Sequence, residues 1–261
     1  MNGFNTITFE TNGSIGTLTL NRPEVHNAMN RECLDECNHV LGALHTNNEV
    51  LVLVIKGAGS SAFSTGADLS EFADFGPSEA EEANRRWLAF FNSIEALPKP
   101  VIAQVHGLAP GGGTELSLCC DFVVCSTEAK FWLAEINIGV IPGAGAGVRL
   151  TRFLGRLRAK EILMLGEPIS GEEAAQIGLA NYCVPAESLE NAVAKLARQL
   201  TLKPPLALAA AKRVVNSASE HMMPVALEKQ LGEFLQLFSS EDQKEGMKAF
   251  LEKREAKFLG R

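Results

Sequence analysis

The 261-residue chain lacks any long hydrophobic run. Its longest nearly apolar stretch, residues 50–55, falls far short of the ~20 residues a membrane helix needs, so no membrane partner is expected. It also lacks a basic excess: Lys and Arg total 24 against 31 Asp and Glu, a net charge of −7. An acidic surface attracts phosphate backbones poorly, which excludes nucleic acid as an expected partner. The first ten residues hold no basic n-region and no Arg-rich amphipathic stretch, so no signal or transit peptide is expected. Cysteine is sparse, with six irregularly spaced residues (Cys33, Cys37, Cys119, Cys120, Cys125, Cys183), too few for a disulfide scaffold at this length. The expected setting is reduced and cytoplasmic. Internal repeats and low-complexity tracts are absent too, while 46% apolar and 21% charged residues describe a globular chain able to bury one large core.

What is present reads as an α/β chain. Alternation over residues 6–10, the turn signal Thr11-Asn12-Gly13 and a returning run at 15–20 predict a hairpin. Leu34, Val40, Leu41 and Leu44 recur at helical spacing within residues 31–44. The continuous apolar run 51–55 predicts a strand covered on both faces. Helix is expected over 78–97, strand over 100–106, helix from 114, and strands over 122–125 and 131–136. Further helical segments follow at 148–153, 158–165, 171–177 and 189–200, with a short strand near 182–184. Past Pro204-Pro205 no strand signal remains. The expected division is a core over 1–200 and a helical region over 201–261, which is smaller than an ordinary independent domain.

Two glycine-rich loops follow apolar strands: Phe63-Ser64-Thr65-Gly66-Ala67-Asp68-Leu69, and Gly107-Leu108-Ala109-Pro110-Gly111-Gly112-Gly113-Thr114-Glu115-Leu116. Each is readable alone as a tight turn. Together they could aim two backbone N–H groups at one carbonyl oxygen, the geometry of an oxyanion hole. No Gly-Lys-Ser/Thr follows either loop, which excludes a phosphate-binding P-loop, and Gly143-Ala144-Gly145-Ala146-Gly147 lacks the spacing of a dinucleotide turn. Glu115 and Glu135 both lie in apolar runs. Each is readable as a helix-start charge or strand-end residue, or as a buried carboxyl whose raised pKa suits proton transfer. Cys33 and Cys37 have no second pair to complete a zinc site, so no metal is expected. His106 lacks an accompanying Gly-x-Ser-x-Gly nucleophile. Arg85-Arg86 and Lys253-Arg254 read as solvated helix faces.

These residues together resemble the crotonase (enoyl-CoA hydratase/isomerase) superfamily over nearly the whole chain. The likeness rests on motifs in family order: Leu20-Asn21-Arg22-Pro23 with Asn27-Ala28, the two glycine loops, Cys120-Asp121, Glu135, Ile141-Pro142-Gly143-Ala144-Gly145 and Arg149-Leu150. It ends with Glu241-Asp242-Gln243-Lys244-Glu245-Gly246-Met247 and Ala249-Phe250-Leu251-Glu252-Lys253-Arg254.

The resemblance implies a spiral of ββα turns with a helical C-terminal region that builds homotrimers, often paired into hexamers. It implies an acyl-CoA thioester as substrate, with coenzyme A a part of the substrate and no separate cofactor. By motif, the oxyanion donors are the N–H groups of Ala67 and Gly112. Thr65, Ala67, Asp68 and Leu69 would wrap the coenzyme, and Phe250 and Lys253 would reach it in the same or a neighbouring subunit. Family members that hydrate enoyl-CoA carry glutamates at the spacing of Glu115 and Glu135, which implies reversible addition of water, in fatty acid or aromatic acid degradation. Glu115 is then the base toward water and Glu135 the acid toward Cα. Trp132-Leu133-Ala134 departs from the usual Gly, polar residue and Pro, which places a bulky Trp132 at the expected acyl pocket and suits a cyclic enoyl or dienoyl thioester. Glu24 stands where relatives often carry a basic residue. The alternatives are a Δ3,Δ2-enoyl-CoA isomerase, which needs no held water, and a non-catalytic binding module of the same fold.

Overall fold

The computed structural model of the chain describes residues 3–261, so the first two residues of the expected core lie outside the described residues. Strands β1 (Ile7–Asn12) and β2 (Ile15–Leu20) form an antiparallel hairpin. Asn12 pairs with Ile15, so the two loop residues are Gly13 and Ser14, one position later than the Asn-Gly signal suggests. Gly13 has φ +57°, and glycine takes the first loop position because a left-handed residue is needed there.

β3 (Val52–Gly57) joins β2 in parallel, and β4 (Val101–Val105), β5 (Leu108–Pro110), β6 (Phe122–Ser126), β7 (Lys130–Trp132), β8 (Ile169–Ser170) and β9 (Tyr182–Val184) follow along the chain. The main sheet has the order β1-β2-β3-β4-β6-β9, and a small second sheet has the order β5-β7-β8. Ala62 bridges to Gly107 and Leu108. Each turn of chain therefore places one segment in the main sheet and the next in the second layer, which is the expected ββα spiral.

β3 is covered on both faces. Leu53 and Ile55 enter the larger core, whereas Val52 and Val54 enter a smaller one. Helices α1 (Arg31–Thr46), α2 (Pro77–Ala96), α3 (Gly112–Cys119), α4 (Ala146–Leu165) and α5 (Gly171–Ile177) contribute to the first core. Cys33 and Cys37 are among its buried residues, on the inward face of α1. The second core lies under α6 (Leu189–Thr201), whose Leu189, Val193, Ala197 and Leu200 repeat at helical spacing. Burying each such aliphatic side chain contributes roughly 1.5–3 kcal/mol.

One expected element differs in the structure. The run 131–136 is strand only as far as Trp132, and Ala134–Ile138 is a 3-10 turn that carries Glu135. A short apolar run does not separate strand from helix by periodicity. The two expected helical segments 148–153 and 158–165 are present as the two halves of α4, separated at Gly155, whose φ of +79° and ψ of 167° are not helical.

The region past residue 201 consists of α7 (Pro205–Glu220), α8 (Met223–Leu237) and α9 (Glu241–Glu252). α7 and α8 pack together as a helical hairpin, joined by an Arg213–Glu233 fork of 2.7 and 2.6 Å. Lys212 of α7 reaches back to the core, donating to Ile94 O (2.9 Å), Lys99 O (3.2 Å) and Asp121 Oδ2 (2.8 Å). α8 has no buried residue, and Leu227, Leu231, Phe234 and Leu235 are exposed on it, as is Phe238 just past its end. Among the described residues, no helix is long and apolar enough to cross a membrane.

Candidate active site

The two glycine loops meet. The first is anchored by Asn27, whose side chain donates to Ala58 O (2.9 Å) and Ala62 O (2.8 Å) and accepts from Arg22 N (3.1 Å). Asn27 itself sits at φ +57°, an uncommon conformation that asparagine tolerates through such local hydrogen bonds. Its carbonyl accepts from Ser64 Oγ at 2.8 Å. Met29 N donates to Gly66 O and Asp68 N to Met29 O. This parallel bridge uses the neighbours of Ala67 and leaves the Ala67 N–H free.

Gly66 is required twice over. It has φ +80°, and a Cβ there would collide with the Gly112 nitrogen. The absence of that carbon lets the Ala67 and Gly112 loops touch. Gly113 has the same role from the other side, because its Cβ would strike Ser64 O. Gly112 is the first residue of α3, where an N–H has no intrahelical acceptor. Among the described residues, neither Ala67 N nor Gly112 N donates to a protein acceptor. Two donors without a protein acceptor among the described residues thus lie on loops that touch, from chain segments about one spiral turn apart.

Both glutamates stand beside the second loop. Glu115 lies in the first turn of α3 and is 4% exposed. Its Oε1 accepts from Ala146 N at 3.1 Å, at the N-terminus of α4, where helix geometry favours an anion. Burial pushes the Glu115 carboxyl up to about 7, opposed by the Ala146 N–H and reinforced by the Glu135 charge. Glu135 projects toward Gly111. That residue has φ +51°, and a Cβ on it would come within 2.9 Å of Glu135 Oε1. Burial also raises the Glu135 carboxyl, and its buried Oε2 has no protein partner. The 3-10 turn holding it is fixed by Gly111 N donating to Trp132 O (2.8 Å) and by Asn137 Nδ2 donating to Gly166 O (3.4 Å). Trp132, at the end of β7, is half-buried three residues before Glu135.

Of the other expected residues, Thr65 and Asp68 are half-buried, and Leu69 is exposed at the start of a 3-10 turn. The Asp68 carboxylate is engaged in tethering, since it accepts from Ser70 (2.7 Å) and Arg22 (3.2 Å), and these contacts hold it below the usual carboxylate range. Phe250 is exposed on α9 and Lys253 ends that helix in a left-handed conformation. Among the described residues no hydrogen bond or ion pair joins either one to residues 65–69. Glu24 and His26 are exposed beside the first loop.

Sequence reasoning missed one face of α2. Trp87 lies against Gly112, with its ring 3.1 Å from where a Cβ would stand, and Asn84 lies against Gly143. Glu95 pairs with Arg149 at 2.8 Å through both carboxylate oxygens. The spacing 84, 87, 95 was legible as one helix stripe, but nothing in it named what the stripe faces.

Comparison with known proteins agrees with this architecture. The family model described as enoyl-CoA hydratase/isomerase matches residues 10–261. A crotonyl-CoA hydratase of Syntrophomonas wolfei is 37% identical, over 99% of this chain and 99% of its own. A short-chain-enoyl-CoA hydratase of Clostridium acetobutylicum is 35% identical, over 96% of each. The crystal structure of an enoyl-CoA hydratase from Bacillus anthracis superposes with a TM-score of 0.95 at 32% identity, covering 98% of this chain and 100% of that one.

Proposed function

Given that the chain belongs to the enoyl-CoA hydratase/isomerase family, we propose that it adds water reversibly across the α,β double bond of an enoyl-CoA thioester. The observation that carries this reading is the pair of carboxyls, Glu115 buried and Glu135 half-buried with one oxygen fully covered, set beside two N–H donors without a protein acceptor among the described residues. In hydration, Glu115 takes a proton from water as its oxygen bonds to Cβ. The π electrons move toward the thioester carbonyl, whose oxygen gains negative charge between Ala67 N–H and Gly112 N–H. Glu135 then delivers a proton to Cα. Removing one such donor costs about 2.7–4 kcal/mol of barrier in comparable sites.

The geometry supports the division of roles. Glu115 accepts an N–H from Ala146 at a helix start, which partly offsets the burial that raises its carboxyl to about 7 and leaves an ionised fraction near neutrality, whereas Glu135 Oε2 has no donor among the described residues. The two share one environment, so their titration belongs to the pair. Thr65, Asp68 and Leu69 border the proposed coenzyme path. The thioester brings its own coenzyme A, and the chemistry requires no further cofactor. The proposed acyl group is short and linear, in keeping with the named activities of the two relatives, with Trp132 bounding its pocket. The exposed apolar face of α8 supports a homotrimer, in which Phe250 and Lys253 would approach a neighbour's coenzyme.

A panel of crotonyl, longer linear, cyclohexenyl and cyclohexadienyl thioesters tests the reading, followed by loss of conjugated absorbance and by product mass. The expected result is hydration, fastest with crotonyl-CoA and abolished in Glu115→Gln. Preference for a cyclic thioester would reassign the acyl group. Isomerisation that survives Glu115→Gln, or binding without any water addition, would overturn the hydratase reading.

A further inference from the structure

Arg149 lies in the first turn of α4 and is spent on neither the proposed oxyanion hole nor the proton transfers. Its guanidinium makes three charge-assisted contacts with different jobs. Nε and Nη2 form a fork on Glu95 of α2, both at 2.8 Å, and Nη1 donates to Ala144 O at 2.8 Å. The side chain is 13% exposed. Gly145 between these points has φ +102°, and a Cβ there would collide with Nη1. Nη1 therefore packs directly against the Ala144–Gly145 backbone, and that turn ends in the N–H of Ala146, which Glu115 accepts at 3.1 Å.

We propose that the Arg149–Glu95 pair is a positioning element for the proton transfer at Glu115: it clamps the Ala144–Ala146 turn so that the Ala146 N–H holds the carboxyl in one orientation and one charge state. Bidentate pairing defines a plane as well as a distance, which is what a clamp on a glycine-containing turn needs. α2 is a firm anchor for it. Trp87 of the same helix sits under Gly112, and the C-terminal end of α2 is held by Asn216 Nδ2 on Glu95 O (3.3 Å) and Lys212 Nζ on Ile94 O (2.9 Å). One rigid helix thus references both an oxyanion donor and the catalytic base.

The charged groups acting on Glu115 can be assigned by element. Glu135 from the 3-10 turn raises its proton affinity, Arg149 from α4 lowers it, and the Ala146 N–H at the α4 start also lowers it. Glu95 from α2 reaches Glu115 through Arg149, whose charge it partly cancels. The two members of the clamp consequently pull in opposite directions. Removing Arg149 leaves Glu115 holding its proton to higher pH, whereas removing the Glu95 charge exposes Glu115 more fully to the guanidinium and moves its titration to lower pH.

The inference rests on the hydratase reading for its kinetic readout only. The test compares full-length wild type, Arg149→Met, Arg149→Lys and Glu95→Gln in crotonyl-CoA hydration across pH, with thermal unfolding of each. In parallel, 13C-carboxyl-labelled glutamate NMR follows the Glu115 signal, assigned as the one missing in Glu115→Gln. The expected result for Arg149→Met is a kcat lower by about tenfold or more, as small misplacements at a reacting centre produce, with KM changed far less. Its acid limb and its Glu115 titration should both move up. Arg149→Lys should recover part of kcat, and Glu95→Gln should move the titration down. A folded Arg149→Met with unchanged kcat and unchanged Glu115 titration would overturn the clamp. If Arg149→Met does not fold, Glu95→Gln decides: a downward shift supports the clamp and no shift overturns it. If wild type hydrates no enoyl-CoA, the hydratase reading fails, and the NMR titrations alone decide the clamp by the same criteria.

Discussion

Glu115 carries a conflict between stability and chemistry. Its carboxyl titrates at about 7 in the folded chain because burial disfavours the charge, against 4.5 for a free glutamate. Between those values the folded state binds more protons than the unfolded one, so its contribution to stability is full below about pH 4.5 and is lost as pH rises through 7. Glu115→Gln has no proton to lose. It should match wild type in unfolding free energy near pH 4.5 and exceed it above pH 7, by up to about 3 kcal/mol, while losing hydration; chemical denaturation at the two pH values checks this. Gly66 has the converse position, because its φ of +80° and its contact with Gly112 leave no room for a methyl group. Gly66→Ala should lower kcat by about 10²–10³, the loss typical of a displaced oxyanion donor, with stopped-flow kinetics on crotonyl-CoA as the check. At this scale much of the site was legible. The glycines and glutamates stand out by type and spacing, because a missing side chain and a carboxylate among apolar residues both demand a reason. Ala146 and Arg149 gave no such signal, since an alanine's N–H and a helix-start arginine look ordinary until the fold shows what they face.

At the scale of elements, legibility followed length and periodicity. α1 and α2 repeat a core stripe over several turns, and their bounds lie within two residues of the sequence reading. The run 131–136 was too short to declare itself, and the difference matters because its last part is the 3-10 turn that aims Glu135. The break at Gly155 was legible by contrast, since the helical patterning stops before that glycine and resumes after it. The join between core and C-terminal hairpin offers the sharpest test here. Lys212, with its side chain 7% exposed, satisfies two carbonyls and the Asp121 carboxylate at once. Lys212→Met would take the lysine donor from both carbonyls and leave the partly buried Asp121 carboxylate with only the Val101 N–H and no counter-charge. The expected loss is about 3–5 kcal/mol, read as a lowered urea midpoint at unchanged slope.

For the whole molecule, the outer face of α8 is the main unsatisfied surface. Leu227, Leu231, Phe234 and Leu235 are all about half exposed and repeat at helical spacing on one face, the pattern of an interaction surface. On the proposed trimer, Leu231→Glu with Phe234→Glu should shift the mass measured by light scattering from three chains to one. Wild type running as a monomer at micromolar concentration would remove the trimer from the account. The strand order has a consequence of a different kind. In the main sheet β1, β2, β3, β4 and β6 stand side by side in the order in which a ribosome makes them. A nascent chain can therefore add each strand to an edge already formed, with no gap kept open for a later arrival, and β9 closes the row last. The surroundings of Glu115 have a later schedule: the first glycine loop is synthesised some 80 residues before Ala146, so the first five strands of the main sheet precede the partner of the Glu115 carboxyl.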